Sequence, residues 1–291
     1  MKVLVAIDDS PASQAVLREV ALRPWPESSC LEVIHVVEPA HLWTDSATSD
    51  EAMRQAAQLV ERAATELCGH NLEASGVVLP GDAKRVILDR AGATRADFVF
   101  AGSHGASAVT RFLTGNVASA LVRYAPCSVE IVRTREGKPP GVRKILLATD
   151  GSESSERAAQ SIAERSWAEG TEVEVLSVVE LTLGNTQAFL EPPLVDSGQF
   201  ETQREAAMQR AQSGVASAVQ ILSQRFSKVS ESISVLLNGP KTVIVEQAEQ
   251  SGADLIVVGS HGHRGIERFL LGSVSEAVAF HANCSVEVIR G

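Results

Sequence analysis

A single internal repeat constrains this chain more than any other feature. KVLVAIDDS, Lys2 to Ser10, returns as KILLATDGS, Lys144 to Ser152, at an offset of 142 residues. ADFVFAGSHG, Ala96 to Gly105, returns as ADLIVVGSHG, Ala253 to Gly262, at an offset of 157. From Ala96 to Arg133 against Ala253 to Arg290, 18 of 38 positions are identical without a gap. The offset grows by 15, so the second copy carries extra residues, most of them within Leu181 to Phe200. A repeat of about 150 residues is too long for a solenoid unit, which runs to about 20–50 residues, and has the size of a domain. The chain is expected to form two tandem domains, 1–136 and 142–291. Between them TREGKPPGVR, with its glycines, prolines and charges, suits an exposed linker.

Each copy alternates strand and helix patterns. In the first, VLVAI is a buried strand ended by Asp8, and Pro11 opens a helix behind a Ser10 cap. LEVIHVV is a second strand. Asp50 to Cys68 reads as a helix with Met53, Ala57, Val60, Ala64 and Leu67 on one face. GVVL, DFVFAG and CSVEIVR supply three more strands, with helices at Lys84 to Ala91 and Asn116 to Tyr124 between them. Five strands with intervening helices predict an α/β fold, a doubly wound parallel sheet with right-handed crossovers. The alternation in CSVEIVR and CSVEVIR suits half-buried edge strands. Such edges invite pairing, so the two copies are expected to meet through their fifth strands as a pseudo-dimer within one chain, with a further homodimer left open.

In open α/β sheets a ligand lies beyond the carboxyl ends of the strands, where the strand order reverses. Asp8 and Asp150 end the first strands; Gly102 and Gly259 follow the fourth. These features converge on one crevice per copy. In the second copy GSHGHRGIERFLLGS places Gly259, Gly262 and Gly272 in a G-x2-G-x9-G-S spacing. Glycines here permit close backbone approach. Ser273 and Glu276 have the form of a capping box, and the helix start they mark offers free amides and a positive dipole end to an anion. The first copy keeps Gly102, Gly105 and Gly115, but Asn116 replaces the serine and Ala118 stands opposite Ser275. Asn remains a good N-cap. That copy is expected either to bind more weakly or to be a structural relic of the duplication.

The formal charge is −10, spread as −4 through Glu136 and −6 beyond, with no basic tract. That argues against nonspecific nucleic-acid or anionic-membrane binding. No apolar run reaches the roughly 20 residues of a membrane span, and the opening MKVLVAIDDSPAS is too soon interrupted by charge for a signal peptide. The four cysteines show no paired spacing, as in a reduced, cytoplasmic protein. Neither a P-loop, a zinc-protease helix nor a nucleophile elbow is present.

The first-strand Asp with its following Ser, the GSHG turn and the glycine spacing together resemble the ATP-binding subclass of the universal stress proteins, written twice over essentially the whole chain. The resemblance implies strand order 3-2-1-4-5 and ATP, with Mg2+, in the crevice. It places Ala148, Thr149 and Asp150 at the nucleotide and Val178 at the adenine. Val258, Gly259, Gly262, Gly272, Ser273, Val274 and Ser275 would meet ribose and phosphates. The first-copy equivalents are Ala6, Ile7, Asp8, Val36, Ala101, Gly102, Gly105, Gly115, Asn116 and Val117. The function implied is a nucleotide-binding stress-response regulator acting on an unidentified signalling partner. A nucleotide-independent scaffold and a slow metal-dependent ATPase are the alternatives. His104 and His261 read as turn residues, His263 as a possible phosphate neighbour, and Arg111 and Arg268 as loop braces. Cys127 and Cys284 read as small buried thiols. The insertion with Phe189, Glu191-Pro192-Pro193 and Phe200 reads as a lid or a contact surface.

Overall fold

A computed structural model describes residues 1–38, 46–70, 72–104, 115–134, 141–180, 197–236, 239–262 and 271–291. Gly105, Arg111, His263, Arg268, Phe189 and Glu191-Pro192-Pro193 lie outside the described residues, as does the middle of the linker.

The first half runs β1 (Lys2–Ala6), α1 (Pro11–Leu22), β2 (Cys30–Val37), α2 (Ser46–Gly69), β3 (Glu73–Pro80), α3 (Ala83–Thr94), β4 (Phe98–Gly102), α4 (Asn116–Tyr124) and β5 (Ser128–Val132). The second half repeats this order as β6 (Lys144–Thr149), α5 (Glu153–Glu164), β7 (Glu172–Glu180), α6 (Ser197–Leu222), β8 (Val229–Leu236), α7 (Pro240–Ser251), β9 (Leu255–Gly259), α8 (Ser273–His281) and β10 (Ser285–Ile289). All ten strands form one sheet in the order β3-β2-β1-β4-β5-β10-β9-β6-β7-β8. Neighbours are parallel except at the centre, where β5 and β10 pair antiparallel.

Both sheet faces are covered, so the inner strands read as continuous apolar runs. Period-two geometry then assigns their side chains. Val3, Val5, Ile145, Leu147, Leu255 and Val257 enter one core, beneath α1, α2, α5 and α6. Leu4, Ala6, Leu146, Ile256, Val286 and Val288 enter the other, beneath the remaining helices. Each core crosses the join between the halves.

On α2 the buried stripe is Ala56, Val60, Ala63 and Leu67, rather than one containing Ala57, which is exposed. The i, i+4, i+7, i+11 set lies under the strands, and Ala57 sits one residue round from it.

The fifth strands depart furthest from expectation. Neither is half-buried: every residue of β5 and β10 is buried. Glu130 and Glu287 stand directly opposite one another across the antiparallel ladder, and each is 0% exposed. Two carboxylates facing each other repel, so their burial requires cations. These arrive at the C-terminal ends of α1 and α5. Arg165 forms a two-pronged pair with Glu287. The Arg23 guanidinium donates to Glu130 at 2.9 Å and Glu287 at 3.4 Å, and to Glu19 at 3.1 Å. Aromatic faces complete the cage, with Arg23 over Phe100 and Trp167, and Arg165 over Phe98 and Trp167. The indole N–H groups of Trp25 and Trp167 donate to the carbonyls of Val20 and Ile162, fixing those rings.

Burial drives the Glu130 carboxyl well above its ordinary range, and repulsion by Glu287 adds to this despite Arg23. At Glu287 burial pushes in the same direction, but Arg165 and Arg23 outweigh it and the carboxyl is held below its ordinary value. The two partners of the pair are thus shifted in opposite directions. Glu130 Oε2 lies 2.8 Å from the Arg23 guanidinium, in ion-pair contact but outside hydrogen-bond geometry.

Candidate functional site

In the second half β6 and β9 run side by side with Ala148 opposite Val258. Beyond their ends the chain parts, with α5 packing on α6 and α7 on α8. The strand order reverses at this point, the position where open α/β sheets hold a ligand crevice. Thr149 is buried at the end of β6, and Asp150 follows it exposed. The Thr149 hydroxyl donates to Ser155 Oγ at 2.9 Å and accepts from Gly151 N at 3.2 Å. Asp150 Oδ1 accepts from Ser152 N at 3.0 Å, and Ser152 caps α5 by accepting from Ser155 N. Gly151 has φ +78° and packs against Gly214 of α6, where a Cβ on Gly214 would stand 2.6 Å from the Gly151 Cα. A glycine is needed there for both reasons.

The glycine loop leaves β9 under equally tight constraint. A Cβ on Gly259 would lie 2.7 Å from Ser154 backbone, and one on Gly262 would lie 2.6 Å from Asp150 Oδ2. The loop is thus pressed onto the first-strand turn. His261 N donates to Ser154 Oγ and Ser152 Oγ donates to the His261 carbonyl. On its return, Gly272 N donates to the Ser260 carbonyl at 2.7 Å. Ser154 and Ser155, which organise this turn, carry no sequence signal beyond the serines of Ser152 to Ser155 behind a strand-ending Asp.

The helix start differs from the capping-box expectation. Gly272 is the N-cap of α8, with no side-chain cap, and Ser273 is the first helical residue. Glu276 N donates to the Gly272 carbonyl, which starts the helix one residue earlier than supposed. The Glu276 side chain turns instead to Arg123 of the first half, at 2.6 Å. The buried Ser275 hydroxyl donates to the Gly259 carbonyl at 2.6 Å, pinning the helix to the strand end. Ser273 and Val274 are left exposed and half-buried at the rim, with Val178 half-buried on β7.

The first crevice has the same frame. Ala6 stands opposite Ala101, and Ile7 N donates to the Ile34 carbonyl. Gly115 N donates to the Ser103 carbonyl at 2.7 Å. Again the glycine, Gly115, is the N-cap, and Asn116 is the first helical residue, exposed, with Val117 half-buried beside it. A Cβ on Gly102 would lie 2.8 Å from that of Ala12. Val36 is half-buried on β2. Asp8 differs from Asp150: both Ser10 and Ser13 donate their hydroxyls to its Oδ1, and its own N–H donates to Ser13 Oγ. The histidines are matched, with Ser103 Oγ 2.9 Å from His104 Nδ1 and Ser260 Oγ 2.9 Å from His261 Nδ1.

Cys127 and Cys284 are buried at the start of the fifth strands, and burial pushes the Cys127 thiol up to about 11. Among the described residues no helix is long and apolar enough to cross a membrane.

The model of the universal stress protein family matches residues 1–133 and again 141–290. A universal stress protein of Mycolicibacterium smegmatis is 26% identical over 299 residues, covering 99% of this chain and 96% of that protein. One from Mycobacterium tuberculosis is 32% identical over 197 residues, 67% of this chain and 62% of its own length. Among solved structures, a universal stress protein from Archaeoglobus fulgidus superposes with a TM-score of 0.68 at 20% identity, over 99% of this chain and 96% of that one. A protein of unknown function from Pseudomonas aeruginosa gives 0.66 at 18% identity, over 99% and 92%. With the fold repeated in both halves and the family matched twice, the chain belongs to the universal stress protein family as a tandem, two-domain member.

Proposed function

We propose that the chain is an ATP-binding stress-response regulator whose stronger site is the second crevice. The observation that carries this reading is the seating of Gly262 against Asp150, which brings a carboxylate, a backbone loop and an uncapped helix start to one strand-end crevice. Ser10, Asp82 and Ser152 cap α1, α3 and α5 with their side chains, whereas α4, α7 and α8 each start on an uncapped glycine. The residues fit a nucleotide. Ala148 and Val178 offer small apolar surface for the base, and Asp150 suits a ribose hydroxyl or the magnesium ion. The first-turn amides of Ser273, Val274 and Ser275 would meet the phosphates. Bound ATP would supply a chelated, charged triphosphate that bridges the loop and the helix start. Ser275 acts by positioning, because its hydroxyl is engaged by Gly259. The first crevice is the weaker site. Free thiols at all four cysteines fit a reducing, cytoplasmic setting.

The test is quantification of small molecules released when freshly purified protein is denatured. One ATP or ADP per chain is expected. Two would raise the first crevice to equal standing. None, together with no binding of added Mg-ATP in calorimetry, would overturn the reading and favour a nucleotide-independent scaffold.

A further inference from the structure

Where each fifth strand ends, two consecutive residues hold the glycine loop of their own domain and the loop helix of the other. The Val132 carbonyl accepts from Ser103 N at 3.1 Å, holding the loop that leaves β4 in the first domain. The next residue, Arg133, crosses the join. Its N–H donates to Ser285 Oγ at 3.1 Å, and its guanidinium donates to the carbonyls of Ala279, at 2.5 Å, and Cys284, at 3.5 Å. Ala279 lies in the last turn of α8, the helix whose first turn borders the second crevice.

The second half returns the contact. The Ile289 carbonyl accepts from Ser260 N at 2.9 Å, holding the loop of the second crevice. Arg290 then donates to the carbonyls of Val122, at 2.5 Å, and Arg123, at 3.1 Å, at the end of α4. Its backbone N–H donates to Ser128 Oγ. A helix end leaves carbonyls without helical partners, and a guanidinium fork both satisfies them and complements the dipole. Each loop helix is therefore closed at its far end by the other domain.

A nine-residue helix is about 13 Å long and moves as one body. A ligand that draws on the first turn of α8 also loads the Ala279 carbonyl held by Arg133. The same backbone, one residue earlier, holds the loop of the first crevice. We propose that Val132-Arg133 and Ile289-Arg290 couple the two crevices, so that filling one alters the affinity of the other. The proposal rests on the nucleotide reading for the identity of the ligand, but not for the bridge itself. Arg133 and Arg290 are positioning residues that act through the helices they cap. Coupling of this kind is reciprocal and typically changes affinity by about fivefold or more.

The experiment uses the whole chain, with wild type, Arg133→Met and Arg290→Met compared by amide hydrogen exchange and by Mg-ATP calorimetry. Without ligand, Arg133→Met is expected to speed exchange in α8 and Arg290→Met in α4, each acting in the domain it does not belong to. Arg133→Met is also expected to weaken Mg-ATP binding at the second crevice by about fivefold, with Arg133→Lys recovering part of the loss. That graded recovery separates positioning from general destabilisation, and Arg133→Lys serves alone where the Met variant does not fold. If Mg-ATP binds wild type and every variant within about twofold, the coupling is overturned while the nucleotide reading stands. If wild type binds no Mg-ATP, the nucleotide reading falls and the exchange pattern decides. A crossed pattern upholds the bridge, and one confined to the mutated domain overturns it.

Discussion

The two crevices share a backbone frame and differ in what they do with their aspartates. In the first, Asp8 receives hydrogen bonds from Ser10 and Ser13 and is half-buried. In the second, Thr149 replaces Ile7 and engages Ser155, the counterpart of Ser13, while Gly151 replaces Asp9 and takes a positive φ. Asp150 then faces outward, beside Gly262. Two substitutions in the turn, neither at the carboxylate itself, separate a half-buried carboxylate that takes two serine hydroxyls from an exposed one that takes the Ser152 N–H and lies beside the glycine loop. The buried pair at the join diverges in the same way. Glu130 and Glu287 are equivalent by repeat, yet burial drives one carboxyl above its ordinary range while Arg165 and Arg23 hold the other below it. Position in the fold sets where a residue stands, and the neighbours set its charge.

The largest effect expected from this contrast is at Gly262. Gly262→Val places atoms against Asp150 and should weaken Mg-ATP binding at the second crevice by at least about 100-fold, or about 2.7 kcal/mol. Calorimetry showing unchanged binding would break the assignment of that crevice as the stronger site.

Next come the two glutamates. Glu287→Gln removes the charge that Arg165 and Arg23 answer and should cost about 3–5 kcal/mol at neutral pH. Glu130→Gln replaces a carboxyl that burial drives above its ordinary range with an amide of similar shape, and should change stability by about 1 kcal/mol or less near pH 4.5. Their pH dependences should oppose each other. The folded value of Glu130 is raised, so its contribution is full below 4.5 and is lost as pH rises through the folded value. Glu130→Gln should therefore gain on wild type as pH climbs from 4.5. The folded value of Glu287 is lowered, so its contribution is full above 4.5 and is lost as pH falls through the folded value. The deficit of Glu287→Gln should shrink on acidification. Urea midpoints of both variants from pH 4 to pH 9 (roughly the span over which most proteins remain folded) check the signs; parallel curves would refute the division of roles.

A smaller effect is expected from Ile7→Thr, which offers Ser13 the partner that Thr149 gives Ser155. Turning Asp8 outward should tighten Mg-ATP binding at the first crevice by one hydrogen bond, about 0.5–1.5 kcal/mol. Asn116→Ser, at the exposed first residue of α4, should tighten it less. Calorimetry on each variant combined with Gly262→Val isolates that site.

Much of this architecture is legible in the amino-acid sequence alone. The repeated apolar runs and the strand-ending aspartates predict a doubly wound α/β fold in both halves, because period-two burial and turn chemistry are local properties. The helix starts are displaced by one residue, since Gly272 N is held by the Ser260 carbonyl, a long-range bond that no capping pattern encodes. The fifth strands mislead for a related reason. Val-Glu-Ile alternation ordinarily means one face in water, and only the arrival of Arg23 and Arg165 from distant helices turns Glu130 and Glu287 into interior residues. Their signal is the repeated Arg-x-Trp after the first helix of each half, which hydrophobic periodicity does not register.

The ionic cage at the join also has a consequence in arithmetic. A true homodimer repeats every residue across its axis, so the charges it buries there come in even numbers. Here Glu19 faces Arg23, whereas its counterpart is Ser161, which offers Arg165 only a carbonyl. The cage thus holds two arginines and three glutamates, an odd sum that a symmetric pair has no means of reaching. The fused halves can hold that asymmetry, and burial, by driving the Glu130 carboxyl above its ordinary range, works against the excess of negative charge.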